Sequence, residues 1–169
     1  MRLETLDQLF THELKDIYDA EQQLLEALPK LIEVAASAEL RRGLDQHLRQ
    51  TEQQVTRLEQ ILSRREVDAN GARCKGMEGL LRESEELLRK EMAPAVKDAA
   101  IISAAQRVEH YEMAAYGSLR TFAQVLGDVA SAKQLQQTLD EEADADRKLT
   151  QLAEFSINEK AAVEVAQAV

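Results

Sequence analysis

Acidic side chains and one imidazole interrupt apolar stripes that recur at helical spacing along four segments of the chain. The residues at these interruptions are Glu21, His47, Gln50, Glu109, Glu112, Glu142 and Asp146. Carboxylate oxygens with one imidazole nitrogen suit iron(II) or manganese(II), whereas zinc prefers sulfur and nitrogen ligands. An unpaired buried ion is very unfavourable, and no Lys or Arg lies on these stripes. The pattern therefore predicts that two divalent metal ions neutralise the carboxylates, with iron favoured over manganese.

These polar positions fall at one depth of the predicted helices. Glu21 lies about 15 residues before the first interhelical turn, and His47 lies about 11 residues after it. Glu112 lies about 15 residues before the turn at residues 127–128, and Glu142 about 14 residues after it. With a rise of about 1.5 Å per residue, the groups lie within about one helical turn of a common level. The alternative is that some face solvent, because a shift of one residue rotates a helical position by about 100°.

The elements that must position these residues are long amphipathic helices. The apolar spacing predicts long helices over residues 5–36, 37–65, 94–126 and 128–155, and a short helix over residues 77–90. Thr5, Ser37 and Asp128 have side chains suited to helix N-caps, and Pro94 suits the first turn of the third long helix. Pro29 is expected to bend the end of the first helix, because proline removes a backbone hydrogen bond.

The lengths of the connections predict how the helices are arranged. A very short turn joins the members of each pair of long helices, which makes them antiparallel neighbours. About 28 residues, from 66 to 94, connect the two pairs and can run the length of a bundle. We therefore predict an all-α, ferritin-like four-helix bundle with two antiparallel hairpins and one long crossover that contains a short helix. The bundle domain is expected to span residues 1–155, and residues 156–169 to extend the last helix or form a tail.

Composition and charge narrow the class of protein. The chain has 169 residues and a mass of 19.0 kDa, enough for one ordinary domain, and its formal net charge is −10. A surface this acidic disfavours nucleic acid as a partner. No segment approaches about 20 uninterrupted apolar residues, which disfavours a membrane span, and the N-terminus lacks the apolar run of a signal peptide. A cytoplasmic location is the resulting expectation, and a single cysteine, Cys74, is compatible with a reducing compartment.

Two kinds of side chain near the polar stripes have more than one interpretation. Tyr18 and Tyr116 lie three and four residues from Glu21 and Glu112 along their helices. Each tyrosine either packs in the core or donates a hydrogen bond to a metal ligand. The basic residues on both sides of Cys74 could lower the pKa of its thiol, but one lone cysteine in a loop is a weak signal of redox chemistry.

Several stretches of the sequence resemble a known bacterial family. They are residues 9–21, 74–80, 106–112 with 115–117, and 139–142. In these stretches the chain resembles the YciE/YciF-type stress proteins of the ferritin-like superfamily, and the likeness covers roughly residues 3–155. The resemblance implies a ferritin-like four-helix bundle that forms a homodimer and carries a dinuclear metal site.

A wider comparison with rubrerythrin-like and ferritin-like oxidases implies roles for individual positions. Glu21 and Glu109 match the single glutamates that these proteins carry on their first and third helices. The arrangement Glu109-x-x-Glu112 looks like the extra carboxylate of rubrerythrins. The resemblance thus implies that Glu21 and Glu109 are metal ligands and that Glu112 is an additional one.

The second and fourth helices depart from the Glu-x-x-His pattern of these oxidases. The second helix has His47-x-x-Gln50, where the family leads us to expect glutamate at position 50, and an amide is a neutral, weak ligand. The fourth helix has Glu142-x-x-x-Asp146 and no histidine. The resemblance therefore implies metal binding more directly than full ferroxidase activity.

Functions from different classes are consistent with these features. The leading hypothesis is a stress-response protein whose dinuclear iron site reacts with dioxygen or peroxide, with His47 as a terminal nitrogen ligand and Glu112 as a mobile one. The rival is a non-enzymatic structural or interaction protein in which the carboxylates hold a structural ion or only water. A third, cage-forming iron storage, needs a large assembly. The sequence leaves open whether the protein is an enzyme.

Overall fold

The computed structural model describes residues 2–164, apart from the side chain of Glu164, and these residues form an all-α bundle. Its helices are α1 (Leu6–Val34), α2 (Ala38–Arg64), α3 (Lys75–Leu88), α4 (Pro94–Val125), α5 (Val129–Leu152) and α6 (Asn158–Glu164). α1 packs mainly with α2, and α4 with α5, while α3 lies in the crossover against α1 and α4. The predicted fold class is confirmed, with two helical hairpins joined by a long crossover that carries a short helix.

The long helices begin where their capping residues predict. The hydroxyls of Thr5 and Ser37 and the carboxylate of Asp128 each accept the backbone N–H three residues later. Pro94 is the first residue of α4, where its missing N–H leaves no hydrogen bond unmade. Gly127, in the turn between α4 and α5, has φ of 76°, a left-handed conformation that favours glycine.

Side-chain contacts show that α1 and α2 are antiparallel. Arg65, directly after α2, pairs with Asp7 at the start of α1. Nearer the turn, the Tyr18 hydroxyl donates a hydrogen bond to Glu59 at 3.1 Å. α1 includes Pro29 and continues beyond it, so the proline is accommodated within the helix.

The crossover is anchored where α3 begins. The backbone N–H of Cys74 donates to the Asp19 carboxylate at 2.8 Å, and the Gln23 amide donates to the Cys74 carbonyl at 3.1 Å. A Cβ atom on Gly76 would lie 2.7 Å from the Tyr111 ring on α4, so this close approach requires glycine. These contacts hold the start of α3 against α1 and α4.

The last long helix does not stop near residue 155. The backbone passes from α5 through one π-helical turn, Ala153–Ile157, and continues as α6 to Glu164. Residues 165–169 lie outside the described part of the chain. The division of the chain at residue 155 stays a prediction.

Apolar side chains fill the bundle above and below a polar middle layer. Along α1, buried Ile17 precedes Glu21 and buried Leu24 follows it. The largest fully buried side chains are Phe10, Leu14, Ile17, Leu40, Leu44, Leu58, Ile61, Leu62, Met77, Ile101, Tyr116 and Leu119. Within residues 2–164, no helix has the length and apolar character needed to cross a membrane.

Candidate metal centre

Three helices bring four buried side chains to one point in the bundle. His47 comes from α2, Glu109 and Glu112 from α4, and Glu142 from α5. Each side chain offers one potential ligand atom, and these atoms all lie within 4.8 Å of one another. The structure thus brings together four of the residues predicted as ligands, at a spacing that allows a single ion to contact several of them.

Glu21 of α1 adjoins these four residues. Its carboxylate is fully buried, the Tyr116 hydroxyl donates to its Oε1, and Glu112 is among the acidic groups nearby. Of the two tyrosines considered from the sequence, Tyr116 therefore contacts a candidate ligand, whereas Tyr18 contacts Glu59 instead. The carboxylate cluster is defined here as Glu21, His47, Glu109, Glu112 and Glu142.

Most of the buried polar atoms that lack a hydrogen bond lie in the carboxylate cluster. Within residues 2–164, nine buried side-chain nitrogen or oxygen atoms have no partner, and six of them belong to the cluster. They are Oε2 of Glu21, Nδ1 of His47, Oε2 of Glu109, both carboxylate oxygens of Glu112 and Oε2 of Glu142. Buried polar groups in folded proteins are nearly always hydrogen-bonded, so this concentration of unpaired atoms fits a site for a divalent cation.

Without a cation, burial and mutual repulsion oppose ionisation of these carboxylates. Burial, together with repulsion from Glu142, raises the pKa of Glu21 to about 8, although the hydrogen bond from Tyr116 acts in the opposite direction. Burial also raises the pKa of Glu109 to about 8. The pKa values of Glu112 and Glu142 are raised well above their ordinary range, again chiefly by burial. A divalent ion would reverse this effect, because positive charge favours the ionised carboxylates.

The imidazole of His47 is in the form that binds metals. Burial lowers the pKa of His47 to about 4, so the side chain is neutral at pH 7. Its Nε2 lies 3.4 Å from Glu109 Oε1, and its Nδ1 lies 4.0 Å from Glu142 Oε2. These contacts are therefore not ion pairs, and the neutral ring supplies a nitrogen ligand without adding charge.

Two residues of α2 that the sequence analysis did not single out hold the Glu142 region in place. The buried Gln54 amide donates to Glu142 Oε1. Arg57 pairs with the neighbouring Glu141, with Nη2 2.7 Å from Oε1. Gln54 follows His47 by seven residues, about two helical turns, so same-face spacing is a signal that could have identified it.

Gln50 and Asp146, also predicted as ligands, lie outside the group of four that converge on one point. Gln50 is half-buried and lines a cavity that His47 also lines. The Asp146 carboxylate accepts a hydrogen bond from Gln106 at 3.1 Å, and its Oδ1 lies 3.4 Å from His110 Nε2. Their roles as ligands stay predictions.

The pKa of the Cys74 thiol is raised and not lowered, so its basic neighbours do not activate it. The thiol is buried at the start of α3, where its Sγ lies 3.0 Å from the Tyr111 hydroxyl and accepts the Met77 N–H at 3.5 Å. Burial and the nearby Asp16 raise the pKa of the thiol, since its basic neighbours along the chain point into solvent. Cys74 is therefore a helix-capping residue and not an activated thiol.

Two cavities border the carboxylate cluster. One, between α1, α3 and α4, has a volume of about 620 Å³, and the other, between α2 and α5, has a volume of about 380 Å³. His47 and Glu109 line both. The cluster is therefore approached from two sides, and small molecules could reach these two ligands without passing through packed core.

Comparison with known proteins identifies the family. Residues 5–162 match the family described as "Domain of unknown function (DUF892)". The chain belongs to the DUF892 family. Protein YciF of Escherichia coli strain K12 is 41% identical to this DUF892 chain over 162 residues, which cover 95% of this chain and 98% of YciF. The resemblance to YciE/YciF-type proteins is thus confirmed.

Solved structures agree with this DUF892 assignment. The crystal structure of the E. coli stress protein YciF matches with a TM-score of 0.88 at 40% identity, covering 92% of this chain and 99% of that one. YcfI from Rhodopseudomonas palustris, provisionally described as a structural protein, matches with a TM-score of 0.84 at 41% identity, covering 87% and 94%. A Xanthomonas campestris protein, 18% identical with a TM-score of 0.75 over 96% and 99% of the two chains, shares the fold alone.

Proposed function

We propose that this protein is a ferritin-like, metal-binding stress-response protein whose carboxylate cluster holds two iron ions and reacts with dioxygen or peroxide. The observation that carries the proposal is the group of six buried polar atoms in the cluster that have no hydrogen-bond partner. Similarity to the E. coli stress protein YciF supports the stress-response role. Manganese(II) has similar ligand preferences and is the second candidate ion.

The two ions would be held by different parts of the cluster. One would bind at the point shared by His47, Glu109, Glu112 and Glu142, where the potential ligand atoms lie within 4.8 Å of one another. Glu21 and Glu112 would help to hold the second. Both oxygens of Glu112 are available as ligands because neither has a hydrogen-bond partner.

The surrounding residues would hold these ligands in place. When bound, two iron(II) ions would each supply one electron to dioxygen or peroxide. The Tyr116 hydroxyl orients Glu21, and the Gln54 amide orients Glu142, which leaves the other oxygen of each carboxylate available. Buried apolar side chains such as Leu24 and Val108 line the cavity that leads to the site, so molecules that reach it pass along an apolar wall.

An anaerobic titration with iron(II), followed by exposure to air, tests the proposal. We expect binding of two ions per chain and then a stoichiometric change in optical absorption with oxygen uptake. The variant Glu112→Gln should lose both signals, whereas Glu52→Gln, an exposed carboxylate on the same helix as His47, should retain them. Absence of tight iron or manganese binding by the unmodified protein would contradict the proposal.

The alternative is a non-enzymatic helical bundle with a structural ion, and the provisional description of YcfI as a structural protein favours it. Stoichiometric iron binding without oxygen uptake would support this alternative. A homodimer located in the cytoplasm is part of our proposal, and size-exclusion chromatography tests the oligomeric state. A dimer would exclude storage of iron in a large cage.

A further inference from the structure

The cavity between α1, α3 and α4 has the size and walls of a small-molecule site. Its volume of about 620 Å³ lies within the range of about 300–1,000 Å³ typical of ligand pockets. Its walls are largely apolar, with Leu24, Ala27, Leu28, Leu81 and Val108 among the lining residues. We call this space the long cavity.

The long cavity extends along the bundle from the carboxylate cluster. Its α1 wall runs from Gln23 to Val34, a distance of roughly 16 Å at the helical rise. α3 follows α1 in the same direction, because Gln23 contacts Cys74 and Lys30 contacts Glu85. The end near Gln23 is lined by the cluster residues His47 and Glu109, so this is the metal-proximal end.

The charges at the two ends of the long cavity differ. Near Gln23, Arg73 is matched by Glu78 at 3.3 Å and by the nearby Glu26. The distal half is lined by three cations, Lys30, Arg82 and Arg89, and only one carboxylate, Glu85. Glu85 interacts with both Lys30 and Arg89, and Arg82 has no ion-pair partner within residues 2–164. Four cations and four carboxylates line the whole cavity, so the unpaired Arg82 is the group that favours binding of an anion.

We propose that the long cavity binds an aliphatic monocarboxylate, with its apolar chain along α1 and α3. The carboxylate would lie at Arg82, and the hydrocarbon chain would extend toward the His47 and Glu109 end. The binding site is independent of the metal, whereas the placement of the chain end beside a metal ion rests on the proposed function. The ligand class would then also be the class of organic substrate presented to the metal centre.

Calorimetric titration of the metal-free protein with decanoate tests binding. We expect saturable binding of one decanoate per chain and weaker binding of decan-1-ol, which has the same chain but no charge. Arg82→Gln should weaken decanoate binding about two- to fivefold, because the arginine is exposed to solvent, and should leave the affinity for decan-1-ol unchanged. Arg42→Gln, an exposed position on α2, is the matched control and should bind decanoate normally.

A second variant tests the location of the chain. Ala27→Phe would fill the long cavity from a half-exposed position on α1 and should weaken decanoate binding about tenfold or more without changing the helical content. Unchanged affinity in this variant, or no saturable binding by the unmodified protein, overturns the proposal. A shift from dimer to monomer in Ala27→Phe, without decanoate binding by the unmodified protein, would instead show that a second copy of the chain covers this face.

The orientation of the ligand is tested with manganese(II) bound to the protein. Paramagnetic relaxation should broaden the terminal methyl protons of decanoate more than the protons beside its carboxylate. The reverse gradient overturns the proposed orientation. If decanoate binds to the metal-free protein but manganese and iron do not bind at all, the proposed function fails while the carboxylate-binding site stands.

Discussion

Asp98 and Glu112 are two carboxylates of α4 that are almost equally buried but differ in their surroundings. Asp98 is 3% exposed, and its two oxygens accept the backbone N–H groups of Ala36 and Ser37, each at 2.8 Å. Glu112 is 0% exposed, and neither of its oxygens has a hydrogen-bond partner. Asp98 thus closes the turn between α1 and α2, whereas Glu112 has acceptors available for a metal ion.

The difference shows that burial of a carboxylate does not by itself indicate a functional site. Two backbone N–H groups donate hydrogen bonds to the buried Asp98 carboxylate. Loss of this side chain would leave both donors without their partner and destabilise the fold. Neither oxygen of Glu112 has a hydrogen-bond partner, and its loss would remove a carboxyl group whose ionisation is opposed first by burial and then by the neighbouring glutamates. Variants of the two residues should therefore separate stability from metal binding.

The largest expected effect is on metal binding by Glu112→Gln. The amide has nearly the same shape but carries no charge, so we expect metal affinity to fall by more than about 100-fold. Loss of a residue that only orients a ligand typically lowers metal affinity by about 10- to 100-fold. The free energy of unfolding of the metal-free variant should stay the same or rise, because the cost of burying an ionisable group among other carboxyl groups is removed. Metal titration and chemical denaturation measure the two quantities. A destabilised apoprotein would mean that Glu112 has an unrecognised structural partner.

The opposite result is expected for Asp98→Ala. The backbone N–H groups of Ala36 and Ser37 lose a carboxylate acceptor that is itself buried, so the free energy of unfolding should fall by about 3 kcal/mol. The number of metal ions bound per folded chain should not change. Asp140→Ala, at an exposed position on α5, is the control and should alter stability by no more than about 0.5 kcal/mol. Equal effects of the two aspartate variants would contradict the structural role of Asp98.

The raised pKa values of the cluster predict how the stability of the metal-free protein depends on pH. Glu21 and Glu109, with a pKa of about 8 in the folded protein and an ordinary value of 4.5, bind more protons in the folded state, so stability falls as pH rises through this window. The lowered pKa of His47 makes stability rise with pH, but only between about pH 4 and pH 6.5. The thermal midpoint should therefore fall from about pH 6.5 to about pH 8.5.

Metal binding and a single substitution sharpen this pH test. Metal-loaded protein should show a weaker fall or a rise, because the ion binds the deprotonated carboxylates and its affinity increases with pH. Glu109→Gln should reduce the slope of the metal-free protein, since one titrating group is removed. A thermal midpoint that is independent of pH in the metal-free protein would show that the cluster carboxylates are already ionised there.

Smaller effects are expected from residues that hold the ligands. Tyr116→Phe and Gln54→Leu each remove one hydrogen bond to a cluster carboxylate, and we expect each to lower metal affinity about tenfold. Tyr18→Phe removes a hydroxyl that contacts Glu59 away from the cluster and is the matched control. Metal titrations compare the three variants. Equal metal affinity of Tyr116→Phe and Tyr18→Phe would show that the Tyr116 hydroxyl does not support the metal ligands.

The smallest effects are expected at the border of the cluster. Gln50→Ala and Asp146→Asn should change metal affinity less than about tenfold, because the other potential ligands converge on a point that does not include them. A loss as large as that of Glu112→Gln at either position would show that the side chain moves to become a direct ligand when the metal binds.

Helix boundaries were the most predictable feature, because they depend on local chemistry. Thr5, Ser37 and Asp128 begin their helices as their side chains predict, and Pro94 opens α4. Local chemistry could not predict the pKa of Cys74, since the groups that surround the thiol come from α1 and α4. Charges adjacent in sequence matter less there than burial, which arises only when the crossover packs.

The site itself was predicted in part. Helical spacing identified Glu21, Glu109, Glu112, Glu142 and His47, because a period of 3.6 residues places them on the inner faces of amphipathic helices. The amide that reaches Glu142 comes from Gln54 and not from Gln50. One helical turn separates these two glutamines, and only the approach of α5 to α2 determines which of them makes the contact.

What the amino-acid order determined by itself is the set of helices and the acidic character of their inward faces. Which carboxylate oxygens have partners was decided only when the helices came together. Asp98 reaches the backbone of a turn that lies more than sixty residues earlier in the chain, whereas neither oxygen of Glu112 has a hydrogen-bond partner. The physical reason is that a hydrogen bond depends on distances of a few tenths of an ångström between elements remote in sequence, and no local pattern encodes those distances.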